Sequence, residues 1–572
     1  MIDDSDVSDH RSNDVPIRVV PDPSAVVAPA FAGLSVVAFS PFFYHPFFTL
    51  RAALLLVLLG PGLLALAIHA RRDNAARAAC ALLAASAFST AVASQPGASL
   101  WGAPNAGTGL VFIAASLGVW SLGRTISPLA MERCRGVLIA GISLNVVVAF
   151  LQRLDIAPEV LRLEGRPFGL TGNPVHLGAL CAASVFLILA GPHRVVLWKA
   201  VALVVASAGV QVSGGRSALV LLVLAVAVTS WQRRPAPRSA AAVVLLAFVG
   251  VMATSAVGTG VTATAYAASG QTSSSVTLRL DAWSRGLTSL VNRPVVGVGP
   301  GQYLTAESPQ RDAAAARDSG DSMWEDAHNF VVEFAVCTGV LGLAALALWS
   351  ALASRNAAGP WAAFAATLAL AALVEPMSLV TTPLLAFGLG VGAPLARAPA
   401  PAQGLRRVPL LVLCTAPGAI AAVALLVGEA RLLGGSLDFA PLVVASADPL
   451  LPRSWPTVPL VLSKVETFHG VDDVAARRRA VEAAREATER APADPRPWTR
   501  LGSLEGVWGE PAAASAAFSQ ALELNPWSPQ ALRGFAQTAF LADDEQLAAD
   551  TCRKLRQVTL SGRCANRPLS DW

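Results

Sequence analysis

The sequence predicts an all-α, polytopic membrane protein: a bundle of about thirteen transmembrane helices, one long outer loop and a soluble helical tail. Three observations carry that fold class. Of 572 residues, 54% are hydrophobic and only 14% charged, with a mean hydropathy of +0.54, and a soluble globule of that composition would aggregate. Apolar runs of about 17–25 residues recur along most of the chain. The basic residues fall between those runs and form no single stripe, so the net charge of +5 reflects topology and excludes a nucleic-acid partner.

In order, the runs lie near 27–47, 51–70, 76–95, 108–124, 136–152, 174–190, 195–212, 217–231, 239–257, 327–352, 361–378, 382–396 and 408–428. They follow a cytoplasmic N-terminal tail, 1–26. With that tail inside, the cytoplasmic loops carry Arg71, Arg72, Arg77, Arg124, Arg133, Arg135, Arg194, Lys199, Arg233, Arg234, Arg238, Arg355, Arg397, Arg406 and Arg407. The short outer loops hold only Arg51, Arg153, Arg162, Arg166 and Arg216. A bias of fifteen against five fixes the orientation by the positive-inside rule. The segment 258–326 then becomes a long outer loop. Asp3, Asp4, Asp6 and Asp9 precede the first run, which therefore reads as a retained span and not a cleaved signal.

Past the membrane domain, 27–428, comes a Pro-rich linker, 429–476, and then a helical region, 477–572. Trp498, Leu501, Gly502, Ala514, Phe518, Ala521 and Pro526 take the offsets of a tetratricopeptide-like repeat, a helical hairpin of period near 34 that usually serves as a scaffold for protein partners. Ala480, Ala484, Ala487 and Pro492 fit a preceding unit; Leu532, Phe535, Ala536, Ala539, Ala548 and Cys552 fit a following one. An odd number of spans puts this tail outside. Most of the seven cysteines lie in spans, so no disulfide framework is expected; Cys552 and Cys564 are able to pair if the tail is outside.

Four polar segments meet the outer face. In EGRPFGLTGNPVHLGAL, Arg166, Asn173 and His176 stand at the start of the sixth run; for Arg166, snorkelling to lipid phosphates and substrate contact are both open, while His176 reads as structural. In VSGGRSALV, Arg216 opens a helix after Gly214 and Gly215, where donors and helix dipole favour an anion. Within the long loop, Leu280, Trp283, Leu287 and Leu290 are spaced as an amphipathic surface helix carrying Arg279 and Arg285. Arg293 reads as a solvated helix end. Gly297, Gly299 and Gly301 follow as GVGPG, without the Lys-Ser/Thr of a P-loop. Finally, His328 and Asn329 precede the tenth run, with Gly339 and Gly342 placed for close helix packing. Glu333 and Glu375 are acids in or near spans and so candidates for supporting roles. No zinc spacing, Ser-His-Asp order or Walker motif is present, which leaves metals and cofactors out of the expected chemistry.

These segments, in this order around a long outer loop, resemble the O-antigen ligase and polymerase family over roughly residues 130–350: SGGRS at Arg216, the stretch from Arg279 through Trp283 and Pro294 to Gly297 and Gly301, and His328, Asn329 and Gly339. The resemblance implies a metal-independent membrane glycosyltransferase of the bacterial inner membrane. It would move a glycan from an undecaprenyl-pyrophosphate donor to an acceptor hydroxyl on the outer face. Arg216 and Arg279, with Arg166 as a looser third clamp, would hold the pyrophosphate; His328 would orient or deprotonate the acceptor; Asn329, Trp283, Gly297, Gly299 and Gly301 would support the site. Acceptor glycolipid, glycan and protein all stay open, hence ligase, repeat-unit polymerase and protein O-oligosaccharyltransferase. A transporter or flippase for a lipid-linked glycan is the alternative of another class, since the same arginines would suit a path for an anionic lipid.

Overall fold

The computed structural model describes residues 24–103, 107–158, 161, 166–191, 195–233, 236–255, 275–395, 404–559, 563–565 and 567–568. The expected N-terminal tail up to residue 23, Arg162, Arg194, Arg234, Arg397 and positions 258–274 of the long loop lie outside the described residues.

Each of the thirteen apolar runs holds a helix: Ser24–Val37, Thr49–Ala70, Asn74–Val92, Leu110–Gly123, Pro128–Arg153, Pro174–Ile188, Leu197–Ser213, Arg216–Gln232, Pro237–Ser255, Phe330–Ser354, Gly359–Ala371, Thr381–Gly392 and Gly404–Leu437. The chain is an all-α polytopic membrane protein. Six of these helices, among the described residues, are long and apolar enough to cross a membrane unaided. The others are shorter; at 1.5 Å per residue a 14-residue helix reaches about 21 Å, less than a hydrocarbon core of about 30 Å. They end early where the sequence supplies breakers. The first run stops at Val37, ahead of Pro41 and Pro46.

The turn that follows accounts for Arg51. Expected in an outer loop, it is instead 1% exposed, its guanidinium donating to the carbonyls of Ser35 at 2.9 Å and Leu170 at 2.8 Å, and to that of Phe47. Backbone oxygens left over by irregular chain need donors when buried, and one arginine serves three segments. At the centre of the bundle, every residue from His176 to Ile188 is buried, the mark of a helix apolar on all sides. It packs against the helices Leu197–Ser213, Arg216–Gln232 and Gly359–Ala371.

Beyond the bundle, six helices stack in sequence: Thr457–His469 on Val474–Arg490, Pro495–Trp508 on Pro511–Leu524, and Pro529–Leu541 on Glu545–Val558. Asp473, Asp494, Ser528 and Asp544 cap four of them through side-chain oxygens. A disulfide joins Cys552 to Cys564, with Cα atoms 5.9 Å apart; two short strands, Arg563–Cys564 and Arg567–Pro568, pair just beyond it. The tail lies against the long loop. Ser308 Oγ donates to Leu524 O at 2.8 Å, Ser528 Oγ to Asp321 Oδ1 at 2.6 Å, and Arg317 Nε to Gln557 O at 2.8 Å. Ala316 is packed into the apolar core of the last helix pair. Loop and tail therefore occupy one side of the bundle.

Candidate functional site

The Leu197–Ser213 helix ends on Gly214, in the left-handed region at φ +63°, and Arg216 opens the next helix. Arg216 is exposed at that N-terminus, where free backbone N–H groups and the helix dipole already favour an anion. Arg166 reaches the same turn from another segment, Nη1 donating to Gly214 O at 3.0 Å. Two guanidiniums thus flank one glycine pair. Next along the helix, Ser217 Oγ donates to Glu375 Oε1 at 3.0 Å. Glu375 lies in the 372–380 connection between two short helices. Burial pushes its carboxyl up to about 8, against the opposing effects of the Ser217 hydrogen bond and the Arg279 charge. Arg279 therefore acts on the same carboxyl that Ser217 touches.

Arg279 sits in the amphipathic helix Ser275–Leu290, as the leucine spacing predicts. One turn further, Trp283 presents its indole on the same face, and Nε1 donates to Ala327 O at 2.6 Å. That bond ties the arginine-bearing helix to the residue before His328. His328 itself has a left-handed backbone, φ +50°, uncommon outside glycine and frequent where a side chain must be aimed. Three acceptors fix the turn: Asp326 Oδ1 takes the His328 N–H at 2.7 Å, buried Glu333 Oε2 takes the Ala327 N–H at 2.8 Å, and Asn329 Oδ1 caps the following helix through Val331 and Val332. His328 Nδ1 lies 2.7 Å from Asp326 Oδ1, out of line for a ring hydrogen bond. The ring stands edge-on to Trp324 with centroids 4.6 Å apart.

The 372–380 connection draws the pieces together. Ala372 O accepts from Phe330 N at 2.9 Å, two residues past His328; Glu375 holds Ser217; and Pro376 O lies 3.3 Å from His176 Nε2. Arg216, Arg279 and His328 are thereby linked through one short segment. The sequence reads 361–378 as one span with Glu375 a candidate for a supporting role, whereas the helix ends at Ala371 and Glu375 stands in the connection. The signal available was Glu-Pro inside an apolar run, because a residue before proline avoids the helical region.

Beneath this site the Phe330–Ser354 helix is broken. Gly339 has φ +65° and ψ −168°, and a Cβ there would stand 2.3 Å from Val295 O. The segment 294–299 repairs the break: Val298 N and Gly299 N donate to Val336 O and Cys337 O, while Val340 N and Leu341 N donate to Pro294 O and Val295 O. Ser89 Oγ adds bonds to Val296 O at 2.6 Å and Cys337 O at 3.0 Å. Gly297, at φ +68°, faces Val336 O so closely that a Cβ would come within 2.5 Å. Gly339 is thus the seat of a loop, beyond the close packing expected of it. The glycines serve backbone approach; Gly301 then leads into the Tyr303–Glu307 helix.

Several residues settle into structural roles. Asn173 caps the Pro174–Ile188 helix, His176 is buried against Pro376, Arg285 pairs with buried Glu307 at 2.7 Å, and Arg293 is exposed at a helix end. Among the described residues no group of three potential metal ligands converges. From Phe330 and Met377, beside the 372–380 connection, an apolar cleft of about 790 Å³ extends into the bundle between Phe112, Phe334, Trp349 and Leu379.

Comparison with curated proteins gives no match. Residues 201–347, which contain Arg216, Arg279, His328 and the helix break at Gly339, match the family described as O-antigen ligase.

Proposed function

We propose that the protein transfers a glycan from undecaprenyl pyrophosphate to an acceptor hydroxyl at the outer face of the bacterial inner membrane. The single observation that carries this is the 372–380 connection, which joins the Arg216 helix start, the Arg279-facing carboxyl and the His328 turn. The diphosphate sits against Arg216, Arg166 and Arg279, where guanidiniums bind phosphate oxygens in pairs, and the polyprenyl chain lies in the apolar cleft. The acceptor oxygen attacks the anomeric carbon, the bond from that carbon to the diphosphate oxygen breaks, and the hydroxyl proton passes to the His328 imidazole. Charge grows on the departing diphosphate, so fixed cations stabilise the transition state more than the ground state. A metal is not needed for that neutralisation.

The outer placement draws on two further features. The Cys552–Cys564 disulfide suits an oxidising compartment, and the tail that contains it touches the long loop. The test is a deletion strain complemented with wild type, His328→Ala or Arg279→Ala at equal membrane levels. Neither variant should restore transfer; loss of the imidazole alone removes about 10²–10⁴-fold. Unattached lipid-linked polymer in the deletion strain indicates a ligase, single repeat units a polymerase, and bare protein acceptors an O-oligosaccharyltransferase. Normal envelope glycans with blocked translocation would favour a transporter.

A further inference from the structure

We infer that a second cavity, between the tail and the membrane bundle, is a binding subsite for the sugars of a glycan acceptor. The inference rests on the transferase function proposed above and adds the class of acceptor and the part of the chain that selects it. The cavity holds about 340 Å³, within the range of about 300–1,000 Å³ usual for small-molecule sites. Its walls come from four parts of the chain: the turn at Tyr44 and His45, the segment at Gln95 and Gly102, the long loop at Gln302 and Glu325, and the tail at Leu460 and Lys464.

Chemistry favours a neutral, hydroxyl-rich occupant. Arg496, in the wall, binds Glu325 at 2.6 Å and Asp494 at 2.7 Å, and Lys464 supplies a second positive charge. Two cations against two carboxylates leave no net field to select an ion. Each sugar hydroxyl both donates and accepts, and a lining of carboxylate, amide, phenol and ammonium offers both functions. The Tyr44 ring and the Leu460 side chain supply apolar surface for the C–H faces of a pyranose. Thr457, Leu460 and Lys464 stand three and four residues apart on the Thr457–His469 helix, and so share the face turned to the cavity.

The walls are fixed before anything binds. Fully buried Glu429 accepts from His45 N at 2.9 Å and contacts His45 Nδ1 at 3.0 Å, while Tyr44 N donates to Glu429 O at 3.3 Å. On the tail side, Trp455 Nε1 donates to Gly102 O and Ser454 Oγ to Gly97 O, both at 3.0 Å. Glu325 adjoins Trp324, whose ring meets that of His328. The apolar cleft opens from Phe330, on the membrane side of the same turn. The subsite requires the sugars to reach His328 from the tail side, past Glu325 and Trp324. The tail residues of this wall lie outside the 201–347 match, so acceptor choice is a property of this chain's own C-terminal region.

Photocrosslinking in intact cells tests the assignment. A benzophenone amino acid replaces Leu460 in one strain and Val507, exposed on the tail, in another; after irradiation the purified full-length protein is analysed for covalently attached monosaccharides. Sugar on the 460 adduct at about ten times the level at 507 is expected. A sugar-free adduct at 460, or equal amounts at both positions, would overturn the subsite. Independently, Leu460→Trp narrows the cavity and should raise the acceptor KM about tenfold, equivalent to about 1.4 kcal/mol; an unchanged acceptor KM in a folded variant counts against it. A deletion strain whose glycans are unaltered would instead defeat the transferase function itself, so the two failures are separable.

Discussion

His328 combines a left-handed backbone with a side chain beside Asp326, and the two properties respond differently to substitution. Alanine at φ +50° loses the ring and adds strain, whereas asparagine tolerates that region. His328→Asn should therefore melt within a few degrees of wild type in detergent and still transfer no glycan; a variant that unfolds would show that position 328 matters for the turn alone. Glu375 sets the charge around the arginines. With its carboxyl pushed up to about 8, it is mainly protonated at neutral pH and adds no negative charge beside Arg279 to oppose a donor phosphate. Raising pH through about 8 ionises it, so donor affinity should fall between pH 7 and 9 in wild type and stay level across that range in Glu375→Gln. Equal slopes in the two proteins would remove Glu375 from this role. Arg216 and Arg279 were legible as candidates because a cation at a membrane interface beside glycine or aromatic residues is chemically conspicuous. Glu375 and Asp326 were not legible as partners, since their effect depends on which segments fold back on one another.

Among the elements, the broken Phe330–Ser354 helix gives the sharpest expectation. Gly339→Ala places a methyl 2.3 Å from Val295 O and forces a residue with a side chain into φ +65°. The combined strain should cost about 1–3 kcal/mol and lift the 294–299 segment from its seat, read as a lower melting temperature and faster proteolysis within the long loop. Unchanged protection would show that the loop is held elsewhere. The apolar runs predicted where helices stand, because burial of a lipid-facing run requires internally satisfied backbone. They did not predict the breaks. Gly339 sits in a hydrophobic stretch with no proline nearby, and its partner segment, 294–299, is at least forty residues earlier. The Thr457–His469 helix was likewise hidden in a segment rich in proline, where Pro456 precedes the helix and Pro459 sits in its first turn, whose N–H groups have no intrahelical partner to lose.

At the scale of the whole molecule, the tail is bonded to the loop through Asp321, Glu325 and Arg317, and its last helix pair is closed by Cys552–Cys564. Removing that crosslink by Cys552→Ser should destabilise the tail by about 2–4 kcal/mol, visible as earlier protease cleavage after residue 541 in the full-length protein. Protein recovered from cells with both thiols free to alkylation would place the tail in a reducing compartment and reverse the proposed orientation. The spacing from Trp498 to Pro526 is repeat-like, and Pro495–Trp508 packs on Pro511–Leu524 there. Their docking against the loop was beyond the reach of a spacing rule, since it depends on polar pairs such as Ser528 with Asp321 that lie about two hundred residues apart.

The splice at Gly339 also bears on how this protein can be re-engineered. Four backbone groups at the broken turn find backbone partners in residues 294–299, and in hydrocarbon groups that lost them would remain unsatisfied at a cost of several kcal/mol. A chimaera that imports the outer loop alone would set foreign chain against native half-helix and leave that seam open. Exchange of the outer loop between relatives should therefore use a cassette with junctions beyond Leu341, so that loop, histidine turn and upper half-helix travel as one piece.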